Sequence, residues 1–505
     1  MCVTCAAAVS GNSSPGDALF SAEEVPRFKI QIAANELDKL RRDNRSYVRA
    51  TVSVGTNTLQ DVGVRLKGHG SFRPLDDRPN LTLKFNQFSS GQKLYGLSKI
   101  LLNNASQDTS LMSEYVAARM FREAGVPAAR VGHARVSLNS RDLGFYVLVE
   151  AMNTVFLKQH FTKASGNLYE ANARDIDQRL EQIGGAPGDQ SDIAALVRAA
   201  RLPADQRAKA LAEAIDVDRF LSFLAVSMLG AQHDSYPLNG NNYRLYADPA
   251  SRRLVMMPSG IDGSFSRNAM PITPPAKYVL TKAIIETPQL KEAYRARVAA
   301  LFTNAFKVDE LTNGIYAAAR RLQAAAADET ERAGIAARAT GFARRMIERH
   351  QNVANQRAGI VVAPVQLNSG AKLQLTNWIS EVARGTATFD RSQIDGTPAL
   401  HIQTGAGDSL ASWRQRLLLS AGSYRLRAKV RFADHGGNGG APPRGVAIRV
   451  SGRPSPVRIP GEGWTALEFR FALQEPEEDV QFVCECRGSN AQAWFALDSL
   501  VLEKN

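Results

Sequence analysis

GAQHDSYPLNGNNY, residues 230–243, brings one Asp, one His and three Asn residues together directly after Asp218–Leu229, an apolar segment that predicts a buried helix. Two short predicted strands follow, Tyr243–Tyr246 and Arg253–Met257, and they lead to PSGIDGSF at 258–265, which contains Asp262. Carboxylate and carboxamide oxygens are the ligands that Mg²⁺ prefers. A loop whose Asn, Asp and Gly residues serve only its turn conformations is the alternative. The pattern favours metal and phosphate chemistry if the rest of the chain agrees.

Residues upstream of this region are rich in predicted strands. A small, polar lead-in occupies 1–24, and a short amphipathic segment is predicted at Glu36–Asp43. One prominent helix is predicted at Ser110–Ala124, because its apolar residues recur at helical spacing and a Gly and a Pro follow it. Alternating apolar residues predict strands at Phe28–Ile32, Tyr47–Val54, Val62–Lys67, Leu81–Phe85, Ala134–Leu138 and Gly144–Val149.

Downstream composition changes twice. Helices are predicted in Ile176–Ala214, with a loop at Gly184–Asp189, and again in Leu290–Gln356. From residue 365 onward helix formers become rare, and short strands alternate with Gly, Pro, Asp and Asn turns, which is typical of an all-β sandwich. These strands are predicted at Ala399–Gln403, Ser412–Leu419, Gly422–Phe432, Gly445–Val450, Ala466–Phe471, Val480–Cys486 and Ala493–Leu502.

Two features of the N-terminal part suit a phosphate group. KGHGSFR at 67–73 follows a predicted strand, and its glycines would let backbone N–H groups approach a phosphate; a plain hairpin turn is the alternative. Lys84 lies in the next predicted strand, on the face opposite Leu83 and Phe85. A lone strand lysine usually faces solvent. Lys84 is a candidate for phosphate binding because it lies between the glycine loop and the predicted helix.

The order of these parts is that of a protein kinase: a glycine loop, a lysine strand, a helix, a helical region, an Asp/Asn loop, a hairpin and a second Asp. More specifically, the chain resembles the CotH (spore coat protein H) kinase family, atypical protein kinases that are secreted or coat-associated. The resemblance covers about residues 60–265, and residues 270–360 resemble the family only generally. It rests on the stretches VRLKGHGSFR, NLTLKF, GLSKILLNNASQDTSLMSEYVAARMFREAGVPAARVGHARVSLNSRDLGFYVLVE, GNLYE, HDSYPLNGNNYRLYADP and LVMMPSGIDGSF.

The resemblance implies a role for individual residues. ATP with Mg²⁺ or Mn²⁺ would be the cofactor, and Asp234 would orient or accept the proton of the acceptor hydroxyl. Asp262, with either Asn241 or Asn242, would bind the metal ion. Lys84, in preference to Lys67, would contact the phosphates, and Glu114 would pair with that lysine. Gly68, Gly70 and Ser71 would form the phosphate loop, and Glu150 would lie at the hinge beside adenine.

One departure from the family pattern bears on activity. Family members commonly have Trp-Asp-Leu-Asp where this chain has Ser259-Gly260-Ile261-Asp262, so one carboxylate is missing. The resemblance implies transfer of the ATP γ-phosphate to Ser or Thr of an envelope, coat or secreted protein. The alternative is a pseudokinase, a non-catalytic scaffold that uses the β-sandwich to bind glycan or protein surfaces.

The predicted fold class is α+β: a two-lobed atypical protein-kinase-like domain followed by an all-β, jelly-roll-like sandwich. The N-lobe is predicted at 25–150, the C-lobe at 151–362 and the sandwich at 366–505. The sandwich loosely resembles carbohydrate-binding modules. The sandwich contains four tryptophans, Trp378, Trp413, Trp464 and Trp494. They would either form a platform on which sugars stack or belong to the core, and we favour the core for each of them.

Composition excludes several other classes of protein. The 505 residues carry 62 Lys and Arg against 49 Asp and Glu, a net charge of +13, but the basic residues are scattered, so we expect no nucleic-acid partner. No apolar stretch approaches the roughly 18 residues of a membrane span. The start, MCVTCAAAVSGNSSPG, has the small residues of a cleavage or lipid-attachment region without the apolar core of a signal peptide. An envelope, secreted or coat location is favoured over a cytoplasmic one.

The four cysteines lie at the two ends of the chain. Cys2 and Cys5 form one pair, and Cys484 and Cys486 form the other. Their separation does not suit a zinc site. We therefore expect Cys484 and Cys486 to be small buried thiols on one face of a strand.

Overall fold

The computed structural model describes residues 14–188, 190–357, 365–434, 444–459, 461, 463–474 and 478–505. Cys2 and Cys5 lie outside these residues, as does part of the predicted lead-in. The described helices are α1 (Asp17–Phe20), α2 (Ala34–Arg42), α3 (Ser113–Glu123), α4 (Thr154–His160), α5 (Ser191–Arg201), α6 (Ala204–Ala214), α7 (Val217–Leu229), α8 (Tyr236–Asn239), α9 (Val279–Glu286), α10 (Pro288–Asn304), α11 (Val308–Ala324) and α12 (Glu329–Arg357). None of them is long and apolar enough to cross a membrane.

The strands fall into two groups along the chain. Those before residue 260 are β1 (Arg27–Gln31), β2 (Val48–Val54), β3 (Asn57–Lys67), β4 (Asn80–Lys84), β5 (Lys99–Asn103), β6 (Val131–Leu138), β7 (Arg141–Glu150), β8 (Leu168–Ala171), β9 (Glu181–Gly184), β10 (Tyr243–Asp248) and β11 (Arg253–Pro258). Those after residue 365 are β12 (Lys372–Gln374), β13 (Ile379–Arg384), β14 (Ala387–Ile394), β15 (Thr397–Thr404), β16 (Ser409–Leu419), β17 (Gly422–Asp434), β18 (Gly445–Val450), β19 (Thr465–Leu473), β20 (Glu478–Gly488), β21 (Ala491–Ala496) and β22 (Val501–Lys504).

The described chain divides into two compact units. The first comprises the described part of Met1–Gln107 with Ala117–Phe223 and Gly240–Gly260. The second comprises Asp108–Val116, Leu224–Asn239 and the described part of Ile261–Asn505. The second unit therefore contains the Asp234 loop, the last four helices and the C-terminal strands.

A closed seven-stranded barrel, in the order β1-β2-β3-β4-β5-β7-β6, forms the N-terminal part of the first unit. Residues alternate along each strand, so Val64 and Leu66 of β3 and Leu81 and Leu83 of β4 fill the barrel core. The six strands predicted from alternation are confirmed, and the amphipathic segment is confirmed as α2. Strand β5 was not predicted, because its short sequence KILLN carries too little alternation.

The second sheet of this unit has the order β11-β10-β8-β9, and the predicted hairpin Tyr243–Met257 is confirmed as β10 and β11. The prediction of helices throughout Ile176–Ala214 is wrong at its start. Glu181–Gly184 is strand β9, which pairs with β8, and helix begins only at Ser191. Pairing with an available strand edge overrides the helical propensity of Glu and Gln at these positions.

In the second unit, the predicted helical region Leu290–Gln356 is confirmed as α10, α11 and α12, and α9 was not predicted. The C-terminal strands form a seven-stranded sheet containing β12, β22, β17, β21, β15, β14 and β19, and a four-stranded sheet in the order β13-β16-β20-β18. Side chains from both sheets share one apolar core, as in a β-sandwich. The jelly-roll topology stays a prediction. Strands β12, β13 and β14 were missed, and the predicted Ala493–Leu502 is divided into β21 and β22.

The expectation of buried cysteines is confirmed, whereas the expectation that each tryptophan belongs to the core is confirmed for Trp378 and Trp413 but not for Trp464 and Trp494, which are half-buried. Cys484 and Cys486 are buried free thiols on the core side of β20, and burial raises the pKa of Cys486 to about 12. Trp378 and Trp413 belong to the core, whereas Trp494 is half-buried and stacks on His401 with ring centroids 4.7 Å apart. The tryptophans therefore do not share one environment.

Candidate active site

A cluster of cations lies on the outer face of the barrel. Val64, Leu83 and Ile100 point into the core of the barrel. Side chains alternate along a strand, so their neighbours Arg65, Lys84 and Lys99 lie on the outer face. Lys84 of β4 is directly opposite Lys99 of β5. All three cations are half-buried. The sheet geometry thus gathers residues that are distant along the chain.

Lys99 is the most perturbed of these cations. Burial is the largest cause that lowers its pKa to about 8, and the charges of Arg244, Arg65 and Lys84 lower it further, while Glu170 opposes them. Glu170 is itself bound by Arg244, whose Nε donates to Oε1 at 2.8 Å. Four cations therefore share this neighbourhood with one carboxylate that already has a partner. Such a concentration of positive charge suits an anionic ligand.

Arg65 adds an independent indication of a missing ligand. Its Nε atom is buried and has no hydrogen-bond partner among the described residues. Its guanidinium carbon lies 5.0 Å from the centre of the Tyr47 ring, and the Lys84 ammonium lies 5.7 Å from the same ring. A buried donor without an acceptor costs stability, so a phosphate oxygen is a fitting partner for it.

The predicted phosphate loop is held down by asparagines. Asn80 Nδ2 donates to Ser71 O at 2.9 Å and to Ser71 Oγ at 3.1 Å, while the Asn104 N–H donates to Asn80 Oδ1 at 2.6 Å. Gly68 has a φ of +100°, and a Cβ there would come within 2.8 Å of Asn80 Nδ2. Glycine is therefore required at 68, and the loop has one fixed position against β4.

Lys67 and Glu150, which were also predicted to contact the nucleotide, have side chains that are bound within the protein. Lys67 Nζ donates to Asn103 Oδ1, so Lys84 keeps its preference over Lys67 as the phosphate lysine. Glu150 is buried, and its carboxylate accepts from Arg130 Nε at 2.9 Å and Nη2 at 2.6 Å. Because the Glu150 carboxylate is already paired with Arg130 of the same unit, contact between the Glu150 position and adenine stays a prediction.

In the second unit, a short loop presents half-buried Asp234. Asn239 Nδ2 donates to Asp234 Oδ1 at 3.3 Å and to His233 O at 3.0 Å. Asn239 follows Asp234 by five residues, the spacing of the catalytic Asp and the metal-binding Asn in protein kinases. Sequence reasoning chose the later asparagines and did not consider Asn239, which this spacing makes a further candidate for the metal-binding asparagine.

Asp262 belongs to a segment that contacts both the Asp234 loop and α3. His233 Nδ1 lies 3.0 Å from Gly263 O and 2.7 Å from Ser266 Oγ, and burial, followed by the charge of Arg267, lowers the His233 pKa. Ser113 Oγ donates to Ser264 O at 2.7 Å, which ties this segment to the first turn of α3. That turn also carries buried Glu114.

The two asparagines predicted as alternative metal ligands differ in their surroundings. Asn241 Oδ1 accepts from the Ala173 N–H at 3.0 Å. Asn242 lies beside Gly260: its carbonyl accepts from the Ser259 N–H at 3.0 Å, and a Cβ at Gly260 would come within 2.4 Å of its Oδ1. Gly260 also has a φ of +57°, so the family's aspartate does not fit there without a shift of the backbone or of Asn242.

The donor set fits an ion that arrives with the nucleotide. No three His, Cys, Asp or Glu side chains group as metal ligands within the described ranges. Mg²⁺ in nucleotide sites is usually bound by one or two carboxylates together with phosphate oxygens and waters. The predicted ligand set, Asp262 with one asparagine, has the composition of the protein share of such a site, and its role as a metal site stays a prediction.

A separate cavity of about 660 Å³ lies in the first unit among α5, α6 and the β10–β11 turn. None of the residues predicted for the active site lines it. Its lining includes three arginines and three carboxylates: Arg198, Arg252, Arg253, Asp192, Glu213 and Asp248. These charges cancel formally, so the cavity does not indicate a ligand of either sign.

Comparisons with known proteins locate this site within a family. Residues 64–361 match the family model described as CotH kinase protein. The inner spore coat protein H of Bacillus subtilis is 21% identical over 325 residues, covering 59% of this chain and 87% of that protein.

Similarity to solved structures is weaker. The Helicobacter pylori proinflammatory kinase CtkA is 11% identical, covering 58% of this chain and 96% of that one, with a TM-score of 0.28. TmCBM61, solved in complex with beta-1,4-galactotriose, is 16% identical, covering 25% of this chain and 88% of that one, with a TM-score of 0.18. TM-scores of this size do not establish a shared fold. The family model spans more than half of the 505 residues, and the chain therefore belongs to the CotH kinase protein family.

Proposed function

We propose that this chain is an ATP-dependent protein kinase that transfers the γ-phosphate to Ser or Thr hydroxyls of an envelope, coat or secreted protein. Family membership supports the kinase class. The observation that carries the proposal is the cation cluster of Arg65, Lys84, Lys99 and Arg244, with its buried unpartnered Arg65 Nε, inside the matched residues. A triphosphate would relieve the repulsion among these cations and supply the acceptor that Arg65 lacks.

The proposed roles follow from charge and hydrogen-bonding capacity. Lys84 and Lys99 neutralise phosphate charge, and the backbone of Gly68–Ser71 contributes N–H donors. Asp262 with Asn239 or Asn242 would hold Mg²⁺, and the ion would supply positive charge to stabilise the phosphate oxygens. Asn241, whose Oδ1 is bound to Ala173, is the weaker candidate for that role.

Asp234 completes the reaction. The acceptor oxygen forms a bond to the γ-phosphorus while the bond to the ADP oxygen breaks, and the proton of the hydroxyl passes to Asp234. The hydrogen bond from Asn239 to Asp234 Oδ1 supports this role because it favours one orientation of the carboxylate, and the acceptor hydroxyl must then bind within hydrogen-bond reach of it. Glu114 is proposed to pair with the phosphate lysine.

The substrate class and the location come from the matched relative. That relative is an inner spore coat protein, so we propose association with a coat or another extracytoplasmic layer and a protein acceptor there. The sequence identity of 21% does not transfer any particular substrate.

The decisive experiment is phosphorylation with labelled ATP and Mg²⁺ or Mn²⁺, with the wild-type chain as both enzyme and acceptor. We expect label on Ser or Thr of the wild type and none on Asp262→Ala. If neither protein incorporates label and no nucleotide raises the melting temperature, the kinase proposal fails and the pseudokinase alternative replaces it.

That alternative, a scaffold that binds surfaces through its sandwich, has one supporting observation. Half-buried Trp494 stacks on His401, which Asp390 holds at 2.9 Å and Gln492 at 3.1 Å, so an aromatic edge and several polar groups share one sheet face. Glycan binding that is lost in Trp494→Ala but kept in Trp413→Phe, a change in the core, would support it. Absence of glycan binding would remove the glycan half of this alternative and leave a protein surface as the partner of the sandwich.

A further inference from the structure

A single arginine of α12 holds the backbone on both sides of the predicted catalytic residues. Arg349 is completely buried. It donates to Met228 O at 2.5 Å and Leu229 O at 3.0 Å, where α7 ends just before the Asp234 loop. It also donates to Asn268 O at 2.9 Å and Met270 O at 2.5 Å, shortly after Asp262. The position of α12 therefore determines where these two segments lie.

One turn earlier on α12, Arg345 faces the β-sandwich. Its Nη1 lies 3.7 Å from Glu381 Oε2 of β13, and Glu381 Oε1 also lies 3.1 Å from Arg414 Nη2 of β16. Residues four apart lie on the same side of a helix, so Arg345 and Arg349 connect the sandwich and the catalytic segments through one face of α12. These residues all belong to the same compact unit.

Burial shows that the four-stranded sheet is covered on its outer face as well as its inner one. Val483 and Leu418 point away from the sandwich core, because their neighbours Cys484 and Leu419 belong to it, yet they are only 0% and 8% exposed. Glu485, on the same outer face, is 1% exposed and paired with Arg449 at 2.7 Å. Apolar residues that are buried outside the core indicate a packed interface on this face.

Charge links the same face to the Asp234 loop. Arg416 follows Arg414 by two residues on β16 and so lies on its side of the sheet. Burial is the largest cause that lowers the pKa of His233, the neighbour of Asp234, and the charge of Arg416 makes a smaller contribution in the same direction. The geometric link between the sandwich and the loop remains the one through α12.

We infer that the β-sandwich positions the catalytic loop, with Glu381 as the positioning residue that couples it to α12 and Arg349. This inference rests on the proposed kinase function for its effect on catalysis, but not for its effect on the loop. A protein or glycan that shifts the sandwich would then change phosphoryl transfer without touching the nucleotide. The sandwich becomes the place where activity is regulated.

The test uses the full-length protein and three charge reversals: Glu381→Arg, Arg345→Glu and the double variant that carries both. Glu381→Arg places like charges opposite each other, whereas the double variant restores an opposite pair between β13 and α12. The pair with Arg414 is lost equally in Glu381→Arg and in the double variant, so their comparison isolates the link to α12. Asp395→Arg is the matched control, because it breaks the 2.6 Å ion pair with Arg431 in the other sheet.

Two measurements are made on each variant: hydrogen exchange of the amides in 228–239, and the kcat and KM for ATP. We expect each single reversal to speed exchange in 228–239 and to lower kcat about fivefold, as for the loss of a pair worth about 1 kcal/mol, with KM for ATP unchanged. The double variant should recover both, and Asp395→Arg should change neither. Unchanged exchange in 228–239 of the single variants, or no recovery in the double variant, would overturn the inference. If the wild type transfers no phosphate, the exchange data still decide it, so a failed kinase proposal is distinguishable.

Discussion

Individual residues in the cation cluster show why the candidate site was only partly predictable. Asp234, Asp262 and Lys84 were predicted because they stand in distinctive stretches of sequence. Lys99 was not, because KILLN resembles any short strand and its importance arises only when β5 pairs with β4 and brings it opposite Lys84. Asn239, five residues after Asp234, was not considered for a different reason: two further asparagines, Asn241 and Asn242, follow it closely.

Nucleotide affinity should depend on pH through Lys99. Its pKa of about 8 means that the side chain loses its charge as the pH rises through that value, and a phosphate binds the charged form better. We expect ATP affinity, measured by calorimetry, to fall by up to about tenfold between pH 7 and pH 9. Lys99→Arg, which stays charged, should abolish this dependence, and a wild-type affinity that is flat with pH would contradict the assignment.

The same lysine should limit the stability of the free protein. Its folded pKa lies below the unfolded value, so below about pH 8, where the side chain is charged in both states, burying the ammonium costs stability in full. This cost disappears as the pH rises toward the unfolded pKa. Lys99→Met should therefore raise the denaturant midpoint at pH 7, and the gain should shrink by pH 10. Lys93→Met, at an exposed lysine, is the control and should leave the midpoint unchanged.

The two aspartates should separate binding from transfer. Asp234→Asn should leave Mg²⁺-ATP binding nearly intact and reduce transfer by about 10²–10⁴-fold, because a general base is lost. Asp262→Ala should weaken Mg²⁺-dependent binding and transfer together. Thermal shifts with ATP, with and without Mg²⁺, and labelled transfer measure the two effects. Wild-type transfer by Asp234→Asn, or wild-type Mg²⁺-ATP binding by Asp262→Ala, would show that the roles are assigned incorrectly.

At the scale of elements, long periodic segments were predictable and short strands were not. Helix α7 and the hairpin β10–β11 were predicted nearly to the residue, because a long apolar pattern or two strands around an Asp-Pro turn leave few alternatives. Strand β9 was predicted as helix, because only the free edge of β8 decides its conformation. Whether position 260 can carry the family's aspartate is likewise decided by the hairpin β10–β11. Gly260 follows this hairpin with a left-handed backbone and lies against Asn242.

Restoring that aspartate should therefore harm the hairpin. Gly260→Asp places a residue with a Cβ at a left-handed φ and brings that Cβ within 2.4 Å of Asn242 Oδ1, so we expect a lower melting temperature and no gain in Mg²⁺ affinity. Gly341→Asp, at a helix position where a Cβ meets nothing within 4 Å, controls for the added charge. Tighter Mg²⁺ binding by a fully stable Gly260→Asp would show that the family carboxylate can be accommodated.

The anchored glycine loop gives a second test at this scale. Asn80→Ala removes the donors that hold Ser71, and a mobile loop must be ordered when the nucleotide binds. We expect ATP affinity to fall roughly tenfold, as for the loss of one or two hydrogen bonds. Asn57→Ala, which removes an exposed hydrogen bond to Tyr95, is the control. Equal affinities of the two variants would mean that the loop does not contact phosphate.

At the scale of the whole molecule, composition correctly located the change from helices to sandwich but indicated nothing about how that sandwich is used. The sequence division at residues 362–366 predicts that 25–362 would fold and work alone. Structurally, the sandwich strands lie in the same compact unit as α9–α12. Contacts such as that between Arg345 and Glu381 join residues that are far apart in the chain, so local sequence patterns do not predict them.

Removing the sandwich should consequently impair the kinase domain. The fragment 25–362 would expose the face of α12 that now carries the Glu381 contact, so we expect a lower melting temperature and slower transfer than in the full chain. Both are measured side by side, with the sandwich 366–505 added back in trans as a control for partial rescue. A fragment with full stability and full activity would restore the modular interpretation.

The parallel pairing of β1 with β6 closes the barrel, and it also sets an order on synthesis. Arg27 pairs with Arg135, so the first strand leaves the ribosome roughly a hundred residues before its partner exists. Until then β1 pairs only with β2, and its other edge is open to a second nascent chain. A gene shortened past Gln31 would remove β1 and leave one edge of β2 and one edge of β6 open, although β2 still pairs with β3 and β6 with β7. Its product would then tend to associate edge to edge instead of remaining single molecules.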